Sequence, residues 1–382
     1  MPNPTPTRSY GGGRPLPVHR ELEDGVADLG SGLLLRLHAA MVGLRPGQIL
    51  RFTSPVPSMA EDLAAFEDAS GHGLLSVEDD PARAGWRAFY IRKGRARTDW
   101  EPATGDDLHE TAAAPAAARV DALMPTRLWF YTNYDCNLQC DYCCVVAGPR
   151  ADPRRLDGAR IVGLANEAAT AGFQRVFITG GEPTLRPDVP DLIVAITDRL
   201  PLTILTNAML LRGTRWDRIR AVLGSDRPVS FQVSLDSAGP ALHDAHRGPG
   251  SHARALTGIR TLLDVGATVR LAASLPEAHL GELSGLHALA DELGIAAGDR
   301  IFRPIALRGA ATEGEPIRAA DVAPELTYDA DGWSWHPISN DPDMRLPAAV
   351  DATLAEAMAV VRTRLVDLVA GRAARLDRFV CG

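Results

Sequence analysis

The chain is predicted to be an α/β protein of two units, a small βαβαββ two-layer sandwich followed by a parallel sheet wrapped by helices. Three observations predict it. From residue 126 to 305, short apolar runs alternate with segments of helical period, which is the pattern of repeated βα units. Residues 20–93 hold strand-like and helix-like runs of their own. Between them, residues 100–121 are rich in Ala, Pro and acid without an apolar face, as in a linker. The alternation fits either a doubly wound sheet or a partial barrel.

Composition bounds the answer. The 382 residues are 46% hydrophobic and 23% charged, the make-up of a globular protein long enough for two domains. Lys and Arg number 40 against 48 Asp and Glu, a net charge of −8, which argues against a sequence-independent nucleic-acid surface. No apolar run reaches membrane-spanning length, and the start of the chain lacks the apolar core of a signal peptide, so a cytoplasmic protein is expected.

Residues 1–18, rich in Pro and Gly, read as a disordered arm. In the first domain (19–98), Leu33, Leu34, Leu37, Ala40, Met41 and Leu44 share a helical face after Gly30-Ser31-Gly32, and Arg45-Pro46-Gly47 stops that helix. Ile49–Phe52 is a strand. Ser58 caps a second helix through Phe66, with Glu61 completing a capping box. Strands at Leu74–Val77 and Ala88–Ile91 close the unit. After the linker (99–125), strands fit 127–133, 174–179, 202–206, 229–235, 268–275 and 299–303. Helices fit 153–171, 188–199, 214–222, 252–265 and 281–293. The extension 306–382 reads as a hairpin (Glu325–Thr327, Trp333–His336) and a helix over 349–370.

Cysteine placement points to chemistry. Of five cysteines, Cys136, Cys140, Cys143 and Cys144 lie within nine residues, directly after the first strand of the alternating region, and Cys381 is next to last. Three thiolates in C-x3-C-x2-C spacing can hold three irons of a four-iron cube and leave the fourth open. A structural zinc site would call for a fourth ligand in paired spacing, and His109 and His243 do not supply it.

This C-x3-C-x2-C, with Tyr142 before its last cysteine, resembles the signature of the radical S-adenosylmethionine (radical SAM) superfamily. Further stretches agree: Gly180-Gly181-Glu182-Pro183 after the second strand, Leu205-Thr206-Asn207 after the third, and Ser234-Leu235-Asp236-Ser237 with His243-Asp244 and Arg247-Gly248 after the fourth. The resemblance covers 126–305 and implies a partial (β/α)6 barrel of TIM type. It implies a [4Fe-4S] cluster on Cys136, Cys140 and Cys143. It also implies a site for S-adenosyl-L-methionine built from Tyr142, Gly180, Gly181, Glu182, Pro183, Asn207, Ser234, Asp236 and Arg247. In the family the glycine–glutamate stretch holds the methionine amino group, and an arginine fork suits a carboxylate. The implied reaction is reductive cleavage of S-adenosylmethionine to a 5′-deoxyadenosyl radical, which takes hydrogen from an unactivated C–H bond. A small-molecule or peptide substrate and an external one-electron reductant of flavodoxin or ferredoxin type follow from it.

Residues 20–93 resemble the TusA/SirA family of sulfur-carrier domains in Arg45-Pro46-Gly47, Ala60-Glu61-Asp62-Leu63, Gly71-His72 and Tyr90-Ile91-Arg92-Lys93-Gly94. The family's cysteine position is occupied by Gly30-Ser31-Gly32-Leu33, so a docking or substrate-presenting role, with a protein partner, replaces sulfur relay. Cys144 reads either as a small apolar residue beside the loop, or as a candidate catalytic hydrogen donor, or as a ligand of a second site with Cys381. Trp333, Trp335 and His336 are candidates for the barrel mouth. Two other functions stay open: radical sulfur insertion into a small metabolite, and a non-catalytic iron–sulfur protein that binds a partner.

Overall fold

In the computed structural model the described residues up to 115 are 17–23, 47–55, 72–81 and 83–93, with Leu37, Ala40, Met41, Leu44, Arg45, Met59 and Leu63; beyond, they are 116–149, 152–223, 227–279 and 281–370. The chain divides into two compact units, residues 1–108 and 109–382. Residues 1–16 of the expected arm (1–18), the Ser58–Glu61 capping box and Cys381 lie outside the described residues.

In the first unit, β1 (Arg20–Glu23), β2 (Ile49–Ser54), β3 (Gly73–Asp79) and β4 (Arg87–Arg92) form one sheet in the order β1-β2-β4-β3. β1 runs parallel to β2, and β4 runs antiparallel to both β2 and β3. Helical residues Leu37, Ala40, Met41, Met59 and Leu63 pack on Leu50, Phe52, Phe89 and Ile91 to make the core. Leu37, Ala40 and Met41 are spaced three and four apart, so one helical face is buried. This is the two-layer arrangement expected.

In the second unit, six parallel strands stand in chain order: β5 (Arg127–Tyr131), β6 (Arg175–Thr179), β7 (Leu202–Thr206), β8 (Val229–Ser234), β9 (Thr268–Leu275) and β10 (Arg300–Pro304). Most of their central residues are buried, because helices cover one side and the barrel interior the other; the polar ones among them include Thr203, Ser230 and Gln232, and Thr203 and Ser230 share a hydrogen bond at 2.9 Å. After α1 (Ala116–Leu123), those helices are α2 (Gly158–Thr170), α3 (Val189–Thr197), α4 (Gly213–Leu223), α5 (Pro240–Arg247), α6 (Ser251–Leu263) and α7 (Glu282–Glu292). Consecutive strands paired in sequence order, each returning through a helix, make the partial TIM-type barrel that the resemblance implied.

Three expectations are corrected. Part of the predicted linker is α1, which packs against α8 (Leu354–Ala370); Val120 is buried and Arg362 reaches Asp121 at 2.7 Å. An Ala-rich segment has high helix propensity, and the apolar partner that selects it lies over 200 residues away. α5 falls between predicted elements, because an eight-residue helix is too short for its period to stand out. The hairpin forms as β11 (Thr327–Asp329) and β12 (Gly332–Ser334), but β11 also pairs in parallel with β5. A division at 305/306 therefore cuts through one eight-stranded sheet.

Candidate active site

The carboxyl ends of the barrel strands open into one cavity of about 180 Å³. Cys136, Cys140 and Cys143 line it, together with Tyr142, Cys144, Gly180, Gly181, Glu182, Asn207, Ser234 and Arg247. The cysteine loop leaves β5 and is folded by its own backbone: Cys136 N–H donates to the Gly148 carbonyl at 3.2 Å, and Val146 N–H to the Cys143 carbonyl at 3.2 Å. Val146 adopts φ +54°, uncommon for a β-branched residue, at the turn that aims the Ala147 N–H at Cys143 Sγ (3.3 Å). Leu138 N–H points in the same way at Cys136 Sγ, 3.4 Å away.

Gly180 and Gly181 are required for a reason other than access to a ligand. A Cβ on Gly180 would collide with the Asn133 carbonyl oxygen, and one on Gly181 with the Asp135 carbonyl oxygen. The stretch is pressed on the root of the cysteine loop, where Gly181 N–H donates to Asn133 and Glu182 N–H to Asp135, at 2.7 and 2.8 Å. Glu182 is 1% exposed, and its carboxylate is engaged by the protein itself. Oε1 accepts from Thr184 N–H (3.0 Å), Thr184 Oγ1 (2.6 Å) and Thr206 Oγ1 (2.7 Å), and Oε2 from Asn207 N–H (2.8 Å). Burial raises its pKa against the effect of these bonds. Glu182 thus ties the end of β6 to the end of β7. Pro183 opens the short 3-10 turn Pro183–Leu185 and is buried away from the cavity. Asn207 passes the tie on, donating from Nδ2 to Asn137 Oδ1 at 2.9 Å.

On the opposite side, Asp236 is fully buried and does not line the cavity. It holds two residues that do. Arg247 gives it a bidentate pair, and the Tyr142 hydroxyl donates to Oδ2 at 2.6 Å. Burial alone would raise the Asp236 pKa; the Arg247 guanidinium and the Tyr142 hydroxyl overcome it and hold the carboxyl below its usual range. His243 Nδ1 accepts from Asp236 N–H at 3.1 Å.

Cys144 faces the cavity beside Tyr131, whose hydroxyl lies 3.8 Å from Sγ and donates to the Pro337 carbonyl. Burial, then the neighbouring Cys143, pushes the Cys144 thiol up to about 12. Burial and the Glu182 charge do the same to Cys136, also to about 12. Trp333, Trp335 and His336 do not reach the mouth. They are at most 1% exposed and bonded into the extension, and the adjoining Pro337 and Ile338 supply the wall instead. Sequence reasoning also missed Ser274 and Arg303. Arg300 and Phe302 contact α7, so alternation along β10 turns Ile301 and Arg303 inward, and Arg303 stands opposite Ser274 in register.

The donor set fits an iron–sulfur cluster better than a single ion. Three thiols meet one cavity, yet among the described residues no three His, Cys, Asp or Glu side chains converge as ligands of one metal ion. Thiols raised by burial need a cationic partner to ionise, and bound iron supplies that charge.

Residues 131–276 match the model of the radical SAM superfamily. That stretch is similar to radical SAM domains. A [4Fe-4S] cluster and S-adenosylmethionine are the cofactors of that family, and Cys136, Cys140 and Cys143 lie within the matched residues. The chain is 32% identical over 203 residues to the mycofactocin maturase MftC of Mycobacterium ulcerans (strain Agy99), covering 52% of this chain and 53% of that one. It is 30% identical over 188 residues to the AdoMet-dependent heme synthase of Methanosarcina barkeri (strain Fusaro / DSM 804), covering 49% and 52%. The chain thus spans about half the length of these curated relatives. Among solved structures, anSMEcpe with bound AdoMet matches with a TM-score of 0.51 at 11% identity, over 64% of this chain and 83% of that one. That likeness is one of fold alone. Among the described residues, no helix is long and apolar enough to cross a membrane.

Proposed function

We propose that this protein is a radical SAM enzyme that abstracts hydrogen from an unactivated C–H bond of a small-molecule or peptide substrate. The observation that carries this reading is the opening of three thiols, the Gly180–Glu182 stretch and the Asp236-anchored pair Tyr142–Arg247 into one cavity at the barrel's carboxyl end. When bound, the cluster and S-adenosylmethionine supply one-electron cleavage to methionine and a 5′-deoxyadenosyl radical.

The chain's own residues bind, orient and shield. Cys136, Cys140 and Cys143 hold the cluster. Glu182, through Thr206 and Asn207, sets the distance between the cysteine loop and the ends of β6 and β7. Tyr142, Ser234 and Arg247 form the wall toward the nucleoside and carboxylate of the cofactor, and Asp236 positions two of them without touching it. The remaining wall, made by Tyr131, Cys144, Ser274, Arg303 and Ile338, takes the substrate. Apolar Ile338 keeps water from a reactive radical, and Arg303 offers a cation to an anionic group.

We read the first unit as a TusA/SirA-like module without its cysteine, acting as a docking or substrate-presenting domain. A cytoplasmic location and a flavodoxin- or ferredoxin-type reductant complete the reading.

Anaerobic reconstitution with iron and sulfide, reduction and addition of S-adenosylmethionine test it. About four irons per chain with 5′-deoxyadenosine formed is the expected result. About eight irons would favour a second cluster and the sulfur-insertion reading. Retained zinc with no iron uptake overturns the proposal.

A further inference from the structure

Cys143 is held from outside its own loop. Its carbonyl accepts from Val146 N–H at 3.2 Å and also from Ala310 N–H at 2.9 Å, a donor far along the chain. The residue before that donor, Gly309, has φ +59°. A Cβ there would collide with the Cys143 carbonyl oxygen and stand 2.6 Å from the Cys144 carbonyl carbon. Glycine is therefore needed twice, for its backbone conformation and for the close approach.

The turn is pinned at its base. Arg308 donates from Nε to the Ile317 carbonyl at 2.7 Å and grips Asp343 with Nη1 and Nη2 at 2.7 and 2.8 Å, with Asp341 at 3.2 Å. The Arg308 side chain bearing these bonds is 11% exposed. Just upstream, Ile305 and Ala306 line the cavity, so one short segment joins the cavity wall to the cysteine loop.

We propose that the Gly309–Ala310 turn is a positioning element for Cys143. It fixes the Cys143 peptide and, through it, the Ala147 N–H that points at the ligand sulfur. This rests on the reading that the three thiols hold the cluster. An N–H aimed at a ligand sulfur stabilises the more negative, reduced cluster, so it raises the reduction potential. Loosening the turn lowers that potential.

The test is a redox titration of the reconstituted protein followed by electron paramagnetic resonance, with iron counts and circular dichroism alongside. Gly309→Ala forces a methyl group into the Cys143 carbonyl, and Arg308→Gln unpins the turn without touching the loop. Both variants are expected to fold, with a midpoint potential more negative than wild type and an altered spectrum of the reduced cluster. Arg308→Lys, which keeps a cation beside Asp343, is expected to recover part of the shift. A variant that folds but no longer retains iron also supports the role. If Gly309→Ala fails to fold, Arg308→Gln decides. Folded variants with wild-type iron, potential and spectrum overturn the proposal. Failure of the wild type to take up iron would instead overturn the cluster reading.

Discussion

Arg247 places Nε and Nη2 on the two oxygens of Asp236, at 2.6 and 3.1 Å. The Asp236 side chain is fully buried and the Arg247 side chain 10% exposed, so the pair is shielded from water. Tyr142 donates to the same Oδ2, which locks the aromatic residue of the cysteine loop to the end of β8. One buried acid thus orients two cavity residues on different elements.

Removing one partner of such a pair leaves an uncompensated charge in the interior, at a cost of about 3–5 kcal/mol. Asp236→Asn is therefore expected to lower Tm by about 10 °C. The affinity for S-adenosylmethionine, read by equilibrium dialysis of the reconstituted protein, is expected to weaken with it. A variant with wild-type Tm and wild-type affinity would show that Asp236 positions nothing.

His243 adds a pH dependence. Burial, then the Arg247 charge, lowers its pKa to about 4. Between about 6.5 and 4, the unfolded chain takes up a proton that the folded ring refuses, so stability falls as pH drops through this window. The lowered Asp236 carboxyl contributes stability that persists through the window and is lost only at lower pH. A thermal-melt series is expected to show Tm declining from pH 6.5 toward 4.5, with a shallower decline in His243→Gln. Parallel curves for the two proteins would contradict the assignment.

Gly181→Ala tests why the glycine stretch is glycine. A methyl group there meets the Asp135 carbonyl oxygen, and only backbone movement relieves the collision. The expected cost is about 1–3 kcal/mol, visible as a lower urea midpoint. Because the displaced backbone roots the cysteine loop, iron retention is expected to fall as well. A fully stable variant with normal iron content would mean that the contact is soft.

Cys144→Ser separates the readings of the fourth cysteine. Iron content is expected to stay at about four per chain, since three thiols suffice for the cluster. Deoxyadenosine formation is expected to persist, while substrate conversion falls by about tenfold or more. Undiminished conversion would leave Cys144 as a packing residue.

Much of this site is legible along the chain because it is written in short segments. The C-x3-C-x2-C loop, the glycine–glutamate turn and Asn207 each follow a strand of strong apolar character, and strand ends in a βα repeat collect at one mouth. What a motif residue does once there is less legible. Glu182 resembles a ligand for an ammonium group, yet its oxygens are engaged by Thr184, Thr206 and Asn207. Gly180 and Gly181 stand where a ligand would come close, yet it is the chain itself that does so. A spacing pattern records which residues are present and not which partner takes their bonds.

The alternation of apolar runs and helical periods is a local property, and it was enough to order β5 to β10 and to place the three thiols after the first of them. Pairing across long loops is not local. That β11 joins β5, that α1 packs on α8, that Pro337 and Ile338 rather than the tryptophans wall the cavity, and that Gly309 and Ala310 grip Cys143 were decided by tertiary packing. Each such contact joins segments more than a hundred residues apart, chosen by which buried surfaces and backbone donors fit together, and no periodicity along the chain encodes that fit.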